Sequence, residues 1–242
     1  MKSSNFLVAS LLFLTSCTKP DIGSIDLSFN APVKRKSILI DASRDGGVWW
    51  FPQSSTTGFS ALNIHQGKDL VDYLKNSGYE VDELPPGNAV TYDMLNRYDN
   101  VIRAGGLGGY SVDEMAAYRS FLNGNKSLLL LQDHLSNFAN DQLSIELGLS
   151  FQGNYSGTLN SFSPHAITTG VNSLPYIAGS AIFNPDASKI TSLGTLNANG
   201  TSAVVMGIVK HSTSRIFFIG DMNGIEAVPQ PLTSNLVSWL IR

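Results

Sequence analysis

The chain predicts a mixed α/β domain built on a parallel, doubly wound sheet, and three observations carry that prediction. Four leucines in a row, residues 128–131, follow a Gly124-Asn125 breaker and stop at Gln132-Asp133-His134, the pattern of a central strand covered on both faces. Three more β-rich runs, 37–42 (SILIDA), 79–84 (YEVDEL) and 100–104 (NVIRA), alternate with segments of helical period, the mark of crossover-linked parallel strands. A further buried run, 215–221 (RIFFIGD), ends like the first in a carboxylate.

The 242 residues, 43% hydrophobic and 14% charged, suffice for one sizeable core, and a single domain is expected. A net charge of -3 with scattered lysines and arginines offers no basic field, which excludes nucleic acid as a partner class. The first residues read as an address. Lys2 supplies a positive start, residues 6–14 an apolar run too short to span a bilayer, and Leu14-Thr15-Ser16-Cys17 is similar to a bacterial lipobox. The expectation is a lipoprotein signal peptide over 1–16, a lipidated Cys17 with a flexible tether over 17–36, and a folded domain over 37–242. The other reading is an ordinary secretory signal with an unrelated cysteine. Cys17 is the only cysteine, so a lipidated chain has no thiol chemistry left. The expected location is the bacterial cell envelope, with the protein held at a membrane, the outer one in a Gram-negative cell.

Taken in order, the run 37–42 is the first central strand. The loop 43–63 after it carries Arg44, Gly46-Gly47 and Trp49-Trp50-Phe51, and reads either as a rim over the strand ends or as an apolar plug. Residues 66–77 place Leu70, Val71 and Leu74 at helical spacing before Gly78. Strand 79–84 closes at Pro85-Pro86-Gly87, and a brief helix starts at Thr91. The glycine run 105–109 lacks the Lys-Ser/Thr of a phosphate loop and reads first as a tight strand-to-helix turn. Ser111-Val112-Asp113-Glu114 is a capping box for a helix whose Met115, Tyr118, Phe121 and Leu122 share a face. After the leucine strand come a short helix over 142–147 and an edge strand over 150–155. The second half, with β-prone pieces at 176–183 and 202–209, is expected to extend the same sheet in partly antiparallel fashion, and Ser234 to cap a last helix.

In an open α/β sheet ligands collect outside the carboxyl ends of the strands. The candidate ligand contacts there are Asp41 and Arg44, Gly105 and Gly106, Asp133 and His134, and Asp221 and Asn223, with Trp49, Trp50 and His65 on the long loop. Two readings stand. The carboxylates pair with nearby arginine and cap helices, or they line a pocket in which aromatic faces and hydrogen-bonding groups hold a saccharide or another polar small molecule. His65, His134, His165 and His211 lack metal-ligand spacing, so no metal and no cofactor is expected, the alternative being a site assembled from separate loops such as His65 with Asp133 and His134, and His165 is read as a turn former. Gly-x-Ser-x-Gly is missing too, which leaves Ser136 without a nucleophile elbow.

The succession SILIDA, GYEVDEL, YDNVIRAGG, FLNGN, SLLLLQD, HAITTGV and RIFFIGD resembles the class I glutamine amidotransferase-like superfamily, near its trehalose-utilisation-type branch, over about residues 37–242. The resemblance implies a flavodoxin-like fold. In active members it also implies a catalytic cysteine on a glycine-flanked elbow after the strand matching 128–131. Residues 132–136 read QDHLS, with neither cysteine nor glycine, so no glutaminase activity is expected. Two functions follow: a lipid-anchored, non-catalytic binding or assembly module, with an envelope protein as a candidate partner, or an enzyme of altered chemistry in which Asp133 and His134 form an acid-base pair acting on a saccharide or another polar small molecule.

Overall fold

In the computed structural model, which describes residues 36–44, 67–105, 108–133, 135, 140–225 and 231–241, nine strands join in one sheet. Strands β1 (Ser37–Asp41), β2 (Glu80–Leu84), β3 (Asn100–Arg103), β4 (Ser127–Leu131) and β9 (Arg215–Ile219) run parallel in the order β2-β1-β3-β4-β9. With β9 as the fifth parallel strand this is the 2-1-3-4-5 order of flavodoxin-like sheets. Beyond β9 the sheet turns antiparallel. β8 (Thr201–Val209) pairs with β9, β6 (Leu174–Ile182) with β8, β5 (Phe151–Leu159) with β6 at the edge, and β7 (Ile190–Ala198) with β8.

All five residues of β4 are buried because it sits mid-sheet, and the two-residue period of a strand divides its leucines between two cores. Leu129 and Leu131 join the core under α1 (Lys68–Asn76) and α5 (Pro231–Leu240), where Leu70, Leu74, Leu232 and Leu236 pack. Leu128 and Leu130 join the other core, under α2 (Tyr92–Leu95), α3 (Val112–Leu122) and α4 (Gln142–Glu146), with Leu95, Tyr118, Phe121 and Leu143. Each such side chain contributes roughly 1.5–3 kcal/mol on burial. The expected capping box forms: Ser111 Oγ accepts from Glu114 N, and Glu114 accepts from Ser111 N at 2.7 Å.

The structure departs from expectation at three places. Ser234 does not cap α5 but lies inside it, because Pro231, with its φ already helical and no N–H to satisfy, takes the first position. The edge strand extends to Leu159, since β6 supplies a partner along its whole length. β7 was not anticipated. It pairs with β8 through Asn199-Gly200, both at positive φ (53° and 84°), the pattern of a two-residue hairpin turn. All the described residues belong to one compact unit, and none of the described helices is long and apolar enough to cross a membrane.

Candidate functional site

The strand register pairs Asp41 with Arg103, Arg103 with Leu130, and Leu131 with Ile219, so the carboxyl ends of β1, β3, β4 and β9 open on one edge. The strand order reverses between β1 and β3, which is where such sheets hold ligands. In this chain side chains fill that place. Asp41 has no solvent exposure, and its carboxylate accepts from Tyr110 Oη at 2.8 Å, Tyr118 Oη at 2.5 Å and the backbone N–H of Ser43 at 3.0 Å. Burial first, and the Asp41 charge second, push both phenols well above the ordinary tyrosine pKa, so they remain neutral donors.

Arg44 is equally engaged. Its Nη2 lies 2.8 Å from each carboxylate oxygen of Glu114, Nε donates to the Gly109 carbonyl at 2.8 Å, and Nη1 donates to the carbonyl of Ser43. Its guanidinium also lies over the Tyr110 ring, 5.0 Å from the centroid. Glu114 further accepts from the backbone N–H groups of Val90 and Ser111. Burial alone would raise its pKa, but those two N–H groups and Arg44 outweigh burial and hold it below the ordinary glutamate value.

Under this layer lies Arg103, a residue the sequence reading did not single out. Its side chain is fully buried and pairs with Asp141 at 3.1 Å, while donating to Gln132 Oε1, Ser144 Oγ and the Gly105 carbonyl. Asp141 caps α4 through Ser144 N at 2.9 Å. The available signal was an arginine inside an apolar strand run, which must find a buried acid. Ser43 Oγ, Arg103 Nε and Gln132 Nε2 are buried at this end with no hydrogen-bond partner among the described residues.

Asp133 and Asp221 belong to the opposite face. By strand parity they follow Leu131 and Ile219, and both lie close enough to Tyr176 of β6 to raise its phenol pKa, after the larger effect of burial. Asp221 is buried and accepts from the backbone N–H of Ile177 at 2.5 Å, and Asp133 is buried as well. This contact holds an irregular corner of β6: Ala178 sits at φ 59°, an uncommon conformation for a residue other than glycine, and Tyr176 Oη donates to the Ser180 carbonyl. A methyl group on Gly220 would lie 2.0 Å from that carbonyl oxygen, so glycine is required for the close approach.

The strand ends thus bring Asp41, Arg44 and Arg103 together on one face and Asp133 and Asp221 on the other. Gly105, at φ 63°, turns the chain after β3. Cys17, Trp49, Trp50, His65, Gly106, His134 and Ser136 lie outside the described residues, as does the side chain of Asn223. His165 heads a short 3-10 turn, its Nδ1 accepting from Ile167 N at 3.1 Å. Among the described residues no group of three or more His, Cys, Asp or Glu side chains is placed to hold a metal ion.

No family model matches the chain, and no curated protein matches it. Solved structures do resemble it. The N-terminal domain of mmIFT52 aligns with 85% of this chain and 97% of its own length at 13% identity and a TM-score of 0.59. A ThuA-like protein from Bacteroides uniformis aligns with 85% of this chain and 91% of its own length at 14% identity and a TM-score of 0.57. The carbohydrate deacetylase Agd3 aligns with 85% of this chain at 12% identity and a TM-score of 0.57, the match spanning 32% of that larger protein. At such identities the likeness shows the fold alone, a mixed α/β domain with a mostly parallel sheet, and a ThuA-like protein is among the structures that share it.

Proposed function

We propose that the protein is a lipid-anchored, non-catalytic binding module of the bacterial cell envelope that keeps a ThuA-like, class I glutamine amidotransferase-like fold and binds a saccharide or a related polar molecule. The observation that carries this reading is the closed polar network where β1 and β3 diverge. A general acid or base must present a titratable group to its substrate, whereas Asp41 is held by Tyr110, Tyr118 and a backbone N–H, Arg44 and Glu114 by each other and by backbone groups, and Arg103 by Asp141, Gln132 and Ser144. The absence of any cysteine after Cys17 removes thioester chemistry. The ligand class is supported by the ThuA-like and carbohydrate-deacetylase neighbours and by the Trp49-Trp50 pair in the sequence that follows β1. The anchor is supported by the signature ending in Cys17.

A second reading, an enzyme using Asp133 with His134, is favoured by one observation: Asp133 and Asp221 both stand at the strand ends on the Tyr176 side of the sheet, near enough to act on the same phenol. The two readings separate when the full chain, solubilised in detergent, is incubated with neutral and N-acetylated oligosaccharides. Calorimetric binding with no new product by mass spectrometry is expected. Product release that disappears in Asp133→Asn would replace the module with the enzyme.

A further inference from the structure

The connection from β5 to β6, residues 160–173, holds only a three-residue 3-10 turn, Ala166–Thr168. At about 12–15 residues, connections without regular structure are uncommon in compact domains and are usually functional. This one is pinned throughout. Ser163 N donates to the Leu193 carbonyl at 3.0 Å, Phe162 bridges to Gly194 of β7, and Thr168 Oγ1 donates to the Ser163 carbonyl at 2.6 Å. From α5, Asn235 Nδ2 donates to the carbonyls of Ile167 and Thr169. A loop held at so many points presents its surface ready-made, which lowers the entropic penalty of binding.

That surface is an open cleft of about 460 Å³, a volume inside the range of small-molecule sites. Among the described residues that line it there is no aspartate, glutamate, lysine or arginine. The polar groups are the exposed amides of Asn160 and Asn172, the hydroxyls of Ser163 and Thr169, and the His165 ring, with half-buried Phe162 as the aromatic surface. Partial burial keeps the imidazole pKa below its ordinary value, and acceptance from Ile167 N at Nδ1 leaves the proton of the neutral ring on Nε2, a donor. Uncharged amides, hydroxyls and an imidazole N–H beside one aromatic ring suit a ligand that has many hydroxyls and no charge. A charged ligand would find no counter-ion among the described lining residues and would lose hydration without compensation.

We infer that this cleft is a binding site for a neutral oligosaccharide, with Asn160 and Asn172 recognising hydroxyls and Phe162 underlying an apolar sugar face. The inference rests on the saccharide reading of the proposed function and assigns it to a location away from the strand ends. The test is calorimetric titration of the full detergent-solubilised chain with neutral gluco-, manno- and galacto-tetrasaccharides and with tetragalacturonate. At least one neutral tetrasaccharide is expected to bind better than tetragalacturonate and to lose affinity tenfold or more in the double variant Asn160→Ala, Asn172→Ala, with an unchanged thermal midpoint because both side chains are exposed. Preference for tetragalacturonate overturns the inference. So does affinity retained in the double variant; if that same affinity is lost in Asp133→Asn, saccharide binding stands but belongs to the strand ends. Failure of every tetrasaccharide to bind the native chain overturns both the site and the saccharide reading.

Discussion

At the scale of single residues, the hydrogen-bond partners of Asp41 decide what its charge is for. Two neutral phenols and a backbone N–H surround the carboxylate, and solvent does not reach it. Removing it leaves two buried phenol hydroxyls without their carboxylate acceptor, so Asp41→Ala is expected to lose about 2–5 kcal/mol, at roughly 1–3 kcal/mol for each buried donor left unsatisfied. Urea titration measures this, and an unchanged midpoint would show that the network contributes nothing to folding. Ser43 beside it behaves oppositely: its buried hydroxyl has no partner among the described residues, so Ser43→Ala is expected to be neutral or to stabilise by up to about 1 kcal/mol. A marked loss of stability or of ligand binding would instead reveal a partner for that oxygen. Glu114 sets the acid response. Its carboxyl pKa is lower in the folded chain than in the unfolded one, so the unfolded state binds more protons as the pH falls. The stabilisation is complete above the ordinary glutamate value of about 4.3 and is lost as pH falls through the lowered folded value. Calorimetry between about pH 2.5 and 6 should show the native midpoint falling in this window and a shallower fall in Glu114→Gln.

At the scale of elements, what was legible in the sequence follows from how locally each signal is encoded. The leucine run, the capping box at Ser111 and the glycine after α1 are contained in a few adjacent residues, and all three appear where expected. β7 was missed because its inward and outward positions are mostly small or weakly apolar, as in Ser192, Gly194 and Thr195, although Asn199-Gly200 advertised a hairpin. The site was less legible, because its division depends on parity across strands far apart in sequence. Asp41 and Asp133 both end buried strands, yet Asp41 meets Tyr118 beside one core while Asp133 lies toward Tyr176 of the other. The corner where β6 meets β9 is equally non-local, since Gly220 is needed only because Ser180 of a different strand approaches it. Gly220→Ala should force these strands apart and destabilise the fold by about 1–3 kcal/mol or more, the usual effect of overpacking. A wild-type thermal midpoint would mean that the corner relaxes freely.

At the scale of the whole molecule, the same fold occurs in an mmIFT52 domain, a ThuA-like protein and part of a carbohydrate deacetylase, so architecture alone does not choose a function, and address becomes a separate line of argument. Cys17 offers an unusually clean test because it is the only cysteine in the chain. If it carries lipid, the mature protein presents no thiol, and maleimide should label neither the membrane-extracted protein nor its denatured form, while an unprocessed precursor should label fully. One acyl chain gives only marginal, reversible membrane binding, so stable anchoring implies more than one chain on the processed N-terminus. Cys17→Ser is therefore expected to move the protein from the membrane pellet to the soluble fraction or to leave it as precursor, with ligand affinity of the folded domain unchanged. Mass spectrometry of membrane-extracted native protein should show a chain that begins at a modified Cys17. An intact, unmodified Met1 terminus, together with full thiol labelling, would remove the anchor from the proposal and leave the binding cleft to be judged on its own titrations.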